Sequence, residues 1–228
     1  GAQPWWATRA AVDVWGPALA ESSFLVLDDF LPSTAASSLK AAMQRRKEHM
    51  ERGLTDSPLS ARGRGDRISW VTPGELEELG PLVECLNALV GGMMELPFPG
   101  VQAKLERTSA LSDAQFAVFP GDTTASGDAR YIRHIDNEDG RNGRLLTCTY
   151  YLNEGWDATQ HGGELRLFEP DKKTIKLDVA PVFNRLAIFF SDHAVPHEVR
   201  PTLRERFAIT IWYLDQEKHL AYHAENSQ

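Results

Sequence analysis

The period of the hydrophobic pattern changes once along these 228 residues, near position 103. Upstream, apolar residues recur every three or four positions, the spacing of one helical face. Downstream they alternate, the spacing of one strand face. The upstream pattern predicts a helix over 7–20 and a strand over 24–30. Ser33-Thr34 reads as a helix start, leading into a helix over 37–50 with a basic last turn. Residues 54–67 are polar and rich in Gly, Ser and Arg, the composition of an exposed loop. Ile68-Ser-Trp-Val71 is a short strand, and 75–94 returns to helix, interrupted at Pro81 and at Gly91-Gly92.

The downstream pattern predicts strands over 115–119, 131–136, 145–152, 164–168, 174–177, 185–190, 197–200 and 206–214. Turn signals separate them, among them Pro120-Gly121, Asn142-Gly143, His161-Gly162-Gly163 and Pro201. Many short strands after a helical block predict an α+β, mostly β fold: a double-stranded β-helix, or jelly roll, braced by N-terminal helices. The chain is long enough for one sizeable domain, 1–228. Within it, 1–102 is mostly helical support with the loop 54–67, 103–214 the jelly-roll core, and 215–228 a helical or frayed tail.

Composition then removes several classes. A formal net charge of −8 argues against non-specific nucleic-acid binding. No apolar run is long enough to cross a bilayer, so no membrane partner is expected. Two cysteines, Cys85 and Cys148, make no disulfide framework and suit a reducing compartment, cytoplasmic or nuclear. The chain opens on Gly1-Ala2 without Met, as a cloning scar would, which leaves upstream targeting segments open. A monomer is expected.

Two features carry chemistry. The first is His134-x-Asp136 with His197 far downstream. Two imidazoles and a carboxylate can hold one face of Fe(II) and leave positions open for oxygen and a cosubstrate. Alternation puts His134 and Asp136 on one strand face, with Ile135 opposite. Alone, the triplet reads more readily as a surface feature with an unrelated histidine elsewhere. Catalytic zinc is the chemical competitor, but no His-Glu-x-x-His helix is present.

The second feature is Arg206-Phe-Ala-Ile-Thr-Ile-Trp-Tyr-Leu214. One face carries Arg206, Ala208, Thr210 and Trp212; the other carries Phe207, Ile209, Ile211 and Tyr213. A buried guanidinium is costly unless an anion meets it, and a ligand carboxylate is a matched partner. Tyr151, sharing a face with Thr147 and Thr149, is placed to add a hydrogen bond. A structural Arg–Asp pair at a sheet edge is the plain alternative.

With these residues the chain resembles the oxygen-sensing (HIF or EGLN-type) prolyl hydroxylases, which are Fe(II)/2-oxoglutarate dioxygenases. The matching stretches include Tyr131-Ile-Arg-His-Ile-Asp-Asn137, Leu146-Thr-Cys-Thr-Tyr-Tyr-Leu-Asn153, Gly162-Gly-Glu-Leu-Arg-Leu-Phe168, Pro196-His-Glu-Val199 and Arg206-Phe-Ala-Ile-Thr-Ile-Trp-Tyr213. Arg64-Gly-Asp-Arg-Ile-Ser-Trp70 looks like the family's substrate loop and following strand.

The resemblance implies His134, Asp136 and His197 as iron ligands. It implies Arg206 as the clamp on the distal carboxylate of 2-oxoglutarate, assisted by Tyr151 and Thr210, with Tyr131, Trp212 and Leu165 lining the pocket. Arg64, Asp66, Arg144 and Trp212 fall where the family meets its target. It further implies O2 as cosubstrate, ascorbate as supporting reductant, and hydroxylation at C4 of a proline in a partner protein.

The chain departs from the family at Phe119-Pro120-Gly121, where Tyr-Pro-Gly is usual, and in a longer 122–130 segment. These departures lean the expected target toward the small adaptor of Skp–cullin–F-box ubiquitin ligases, ahead of a HIF-like degron. A ribosomal or translation factor is the alternative substrate. A catalytically silent jelly-roll binding module is the alternative class. Filled ligand positions argue against that last reading.

Overall fold

The computed structural model describes residues 3–53, 63–121 and 129–226. Loop positions 54–62 and segment positions 122–128 lie outside the described residues.

The chain enters through α1 (Arg9–Ser22), where the Thr8 side chain accepts from the Ala11 backbone N–H as N-cap. Its inward residues, Trp15 and Leu19, lie one turn apart. The next helix, α2 (Ser33–Arg46), starts at the Ser33-Thr34 signal, with Pro32 rather than a hydroxyl side chain at its cap. Its end comes before the predicted one, at Arg46. The helix α3 (Gly80–Met94) corrects a second expectation: Pro81 sits in its first turn and initiates it. Gly91 and Gly92 continue that helix, and a Cβ at either would meet nothing within 4 Å. The short α4 (Pro99–Leu105) follows, and α3 and α4 bury Leu82, Leu86, Leu89, Val90, Met93, Val101 and Leu105.

Twelve described strands form two sheets. β1 (Phe24–Leu27), β2 (Glu51–Arg52), β3 (Arg67–Val71), β4 (Ala110–Leu111), β5 (Ala114–Phe119), β7 (Arg144–Tyr151), β10 (Arg185–Phe190) and β12 (Arg206–Leu214) make the major sheet. Its order is β1-β10-β7-β12-β5-β3-β2, with β4 also paired to β12. The minor sheet orders β6 (Tyr131–His134), β11 (His197–Val199), β8 (Leu165–Phe168) and β9 (Ile175–Val179) as β6-β11-β8-β9. All named pairings are antiparallel, as two facing jelly-roll sheets require. The first hundred residues therefore give the major sheet three strands as well as its helical backing.

Alternation on β12 builds two environments from one strand. Phe207, Ile209, Ile211 and Tyr213 join the large apolar core between the major sheet and the helices. Ala208 belongs instead to a smaller cluster between the sheets, with Tyr151, Leu165, Leu167, Phe189 and Val195. The helix-side core anchors the sheet, at roughly 1.5–3 kcal/mol for each fully buried large side chain. The inter-sheet face is thereby free to carry polar residues.

Two strands stop two or more residues short of the pattern. β1 stops at Leu27, because Asp29 takes a left-handed backbone. β6 stops at His134, and Asp136 lies in the turn beyond it. The short helix α5 (Ala158–His161) lies between β7 and β8. Closing the chain is α6 (Gln216–Asn226), packed back onto the Asn142-Gly143 turn.

Candidate active site

The pocket lies between the sheets, and each wall comes from an alternating strand face. On the major sheet, β12 supplies Arg206, Ala208, Thr210 and Trp212, and β7 supplies Thr147, Thr149 and Tyr151. β5 supplies Gln115, Ala117 and Phe119. Ala117 and Ala208 are cross-strand partners, so two small side chains face the pocket side by side. That pairing leaves space on the wall between the polar row at Thr210 and the guanidinium at Arg206. The minor sheet closes the pocket with Tyr131, His134, Leu165, His197 and Val199.

His134 and His197 are cross-strand partners on β6 and β11. With Asp136 they bring three ligand atoms within 4.8 Å of one another, the one such cluster among the described residues. Asp136 reaches the cluster from its turn, not from a strand face as alternation predicts. His134 Nδ1 lies 2.8 Å from Ile132 O, and His197 Nδ1 lies 3.1 Å from Val195 O. A carbonyl only accepts, so both Nδ1 atoms carry the proton and both Nε2 lone pairs are left for a ligand.

The carboxylate is oriented in the same way. Asp136 Oδ2 accepts from Thr147 Oγ1 at 2.7 Å and from Trp212 Nε1 at 2.9 Å. Oδ1 faces His134 Nε2 at 3.5 Å and His197 Nε2 at 3.8 Å. Burial would raise the Asp136 carboxyl, but His197 and His134 hold it well below the usual carboxylate range. Burial, with His134 adding to it, pushes His197 down to about 4 against the pull of Asp136. Near neutral pH it is the neutral imidazole that metals bind. Two oriented imidazoles and one oriented oxygen fit Fe(II) with open coordination positions.

At the other end of the pocket Arg206 is almost fully buried. Its Nε donates to Gly163 O at 2.7 Å, and its guanidinium faces the rings of Tyr151 at 5.0 Å and Phe119 at 5.3 Å. Among the described residues no carboxylate forms an ion pair with it. Burial lowers the guanidinium from its ordinary value, opposed by Tyr151 and Asp66. Burial raises the Tyr151 phenol, opposed by Arg206. The Tyr151 hydroxyl is buried without a hydrogen-bond partner, the one such side-chain atom in this pocket among the described residues. An unpaired guanidinium beside an unsatisfied hydroxyl is costly unless an anion enters. This fits a carboxylate ligand and disfavours the sheet-edge Arg–Asp pair.

The rim holds the remaining expected residues. Arg144 stacks over the Trp212 ring at 4.1 Å, and Tyr131 stacks on His134 at 3.9 Å. Arg64 and Asp66 form a bidentate pair at 2.6 and 2.9 Å, and both are buried. The loop expectation thus needs correction at its described end, where the residues pack inward. Phe119 pairs with Arg206 across the strands.

Residues 115–214 match the 2OG-Fe(II) oxygenase superfamily. Prolyl hydroxylase EGLN3 of Mus musculus is 36% identical over 219 residues, spanning 92% of this chain and 86% of that protein. The chain belongs to the EGLN-type prolyl hydroxylases. It is an oxidoreductase that uses Fe(II), 2-oxoglutarate and O2. Its fold agrees with that of a Trichoplax adhaerens prolyl hydroxylase in complex with a hypoxia inducible factor oxygen degradation domain peptide. The TM-score is 0.77 at 28% identity, over 93% of this chain and 92% of that one. A Pseudomonas putida prolyl-4-hydroxylase aligns with a TM-score of 0.71 at 30% identity, over 90% and 97%.

This prolyl hydroxylase also makes contacts in the pocket that sequence reasoning missed. Thr147 and Trp212 both donate to Asp136, and Ala117 and Ala208 leave the space. Gln115 accepts from Arg64 Nη2 at 2.9 Å. Its signal was a lone polar residue on the inward face of an otherwise apolar strand. The expected absence of a membrane partner bears only on helices: no described helix is long and apolar enough to cross a membrane.

Proposed function

We propose that this enzyme hydroxylates C4 of a proline in a degron-like peptide of a regulatory protein, in oxygen-dependent signalling. The observation that carries the reading is the pairing, in one pocket, of the His134–Asp136–His197 cluster with the unpaired Arg206 guanidinium and the unsatisfied Tyr151 hydroxyl. His134 and His197 would hold iron through Nε2 and Asp136 through Oδ1, while Thr147 and Trp212 keep Oδ2 occupied. Arg206 and Tyr151 receive the distal carboxylate of 2-oxoglutarate. Thr210, hydrogen-bonded to Thr149 at 3.2 Å, flanks the cosubstrate's length. Leu165, Phe119 and Tyr131 exclude water from its sides. When bound, iron supplies O2 chemistry in which one oxygen enters the C4–H bond and the other enters succinate as CO2 leaves. Arg144 and Trp212 border the path of the entering polypeptide, and Arg64 with Asp66 shapes its other side.

The Trichoplax relative supports the degron-like class of target, because its peptide comes from an oxygen degradation domain. The test is intact-mass spectrometry on a peptide panel with Fe(II), 2-oxoglutarate and ascorbate. The panel holds a hypoxia-inducible-factor oxygen-degradation-domain peptide, an Skp-type adaptor and a ribosomal-protein peptide. A gain of one oxygen on the first alone supports the reading. Modification of the adaptor or the ribosomal peptide instead replaces the target. Metal-loaded protein that modifies none and makes no succinate would return the silent binding module.

A further inference from the structure

We propose that Gln115 is a positioning residue for target binding, latching Arg64 and thereby seating Gly63–Gly65 as an added strand on the free edge of β6. β6 is the outer strand of the minor sheet, so among the described residues its far edge would otherwise be unpaired. Ile132 N–H donates to Gly63 O and Gly65 N–H donates to Arg130 O, both at 2.9 Å, with Arg64 bridged to Tyr131 between them. The seating is close: a Cβ at Gly63 would lie 2.5 Å from Ile132 Cδ1. Three backbone residues alone hold an edge weakly, so the segment needs a side-chain anchor.

Arg64 is that anchor, with three contacts among the described residues. It grips Asp66, lies over the Tyr131 ring at 4.9 Å, and donates to Gln115 Oε1. Asp66 is only two residues away and Tyr131 is on β6 itself. Of these three, only Gln115 lies on a strand of the major sheet, on β5 beside Thr210. Gln115 is buried, and its register partners across the sheet are Trp70, which borders the rim, and Thr210. The seated segment also reaches the His134–Asp136–His197 cluster through one residue: the Ile132 N–H donates to Gly63 O, and the Ile132 carbonyl, on the next peptide group, accepts from His134 Nδ1. The latch thus couples the target side of the pocket to a ligand-bearing strand, a role that rests on the proposed target-binding reading.

The test compares Gln115→Met, which keeps volume and loses the acceptor, with Gln115→Glu, which keeps an acceptor for Arg64. Amide hydrogen exchange is read at Ile132 and Gly65, with Ile209 and Ile211 on β12 as internal references. Steady-state kinetics then give two constants, a peptide KM with the hypoxia-inducible-factor oxygen-degradation-domain peptide and a cosubstrate KM. For Gln115→Met the latch predicts lost protection at Ile132 and Gly65 alone, and a peptide KM about tenfold higher, as for one lost charge-assisted hydrogen bond. The cosubstrate KM stays within about twofold, and Gln115→Glu restores both protection and the peptide KM. Unchanged protection in Gln115→Met overturns the latch, as does an equal rise in both KM values or a Gln115→Glu variant that behaves like Gln115→Met. A peptide that the parent enzyme does not modify would defeat the target reading, while the exchange data would still decide the latch.

Discussion

On the proposed reading, Arg206 marks the cosubstrate end of the pocket and the His134–Asp136–His197 cluster its metal end. Among the described residues, Arg206 is buried without a carboxylate partner and beside an unsatisfied hydroxyl. Arg206→Ala is expected to weaken 2-oxoglutarate binding by about 2–4 kcal/mol, the loss of a bidentate charge-assisted contact. Calorimetric titration of the manganese-loaded protein measures this directly, and an unchanged affinity would remove Arg206 from the clamp. Phe119 makes a finer case. Its ring lies against Arg206 where the family usually has a tyrosine. Phe119→Tyr is expected to tighten 2-oxoglutarate by about 1 kcal/mol through one added hydrogen bond. The same titration checks it; equal affinity would mean that position 119 does not touch the cosubstrate.

At the scale of elements, alternation made much of the site legible. The faces of β12 and β7 follow from period two, and they put Arg206, Thr210, Trp212 and Tyr151 in one pocket. Alternation fails at Asp136, because β6 ends at His134 and the carboxylate arrives from a turn. Strand and turn place it on the same side, so the residue was named for an incomplete reason. Gln115 leaves little trace in the sequence because its partner, Arg64, is 51 residues away and joins it through sheet order. Pro81 reads as a break in the sequence because composition alone does not separate a helix interior from a first turn.

The turn carrying Gly143 is where α6 meets the metal side of the sheet. Gly143 has φ of +79°, and a Cβ there would lie 2.5 Å from Asp215 O. Gly143→Ala is expected to destabilise the fold by about 1–3 kcal/mol through backbone strain and this contact. Urea denaturation measures it, and a neutral result would show that α6 can shift without cost.

For the whole molecule, the two sheets and their helical backing pre-form a site whose ligands are already oriented by Ile132 O, Val195 O, Thr147 and Trp212. A group that binds only the folded state stabilises it by mass action, about 2.7 kcal/mol at one hundred times its Kd. Mn(II) at that excess should raise the Tm of chelator-stripped protein by roughly 5–10 °C. His134→Ala should abolish the rise, and equal shifts in both proteins would place the metal elsewhere.

The most direct test of the central claim is intact-mass spectrometry of a hydroxylated prolyl peptide made under 18O2, with succinate quantified in the same reaction. The account predicts one heavy oxygen on the proline, succinate in equal amount, and neither product from His134→Ala. Hydroxylation that persists in His134→Ala, or that proceeds without 2-oxoglutarate, would contradict it.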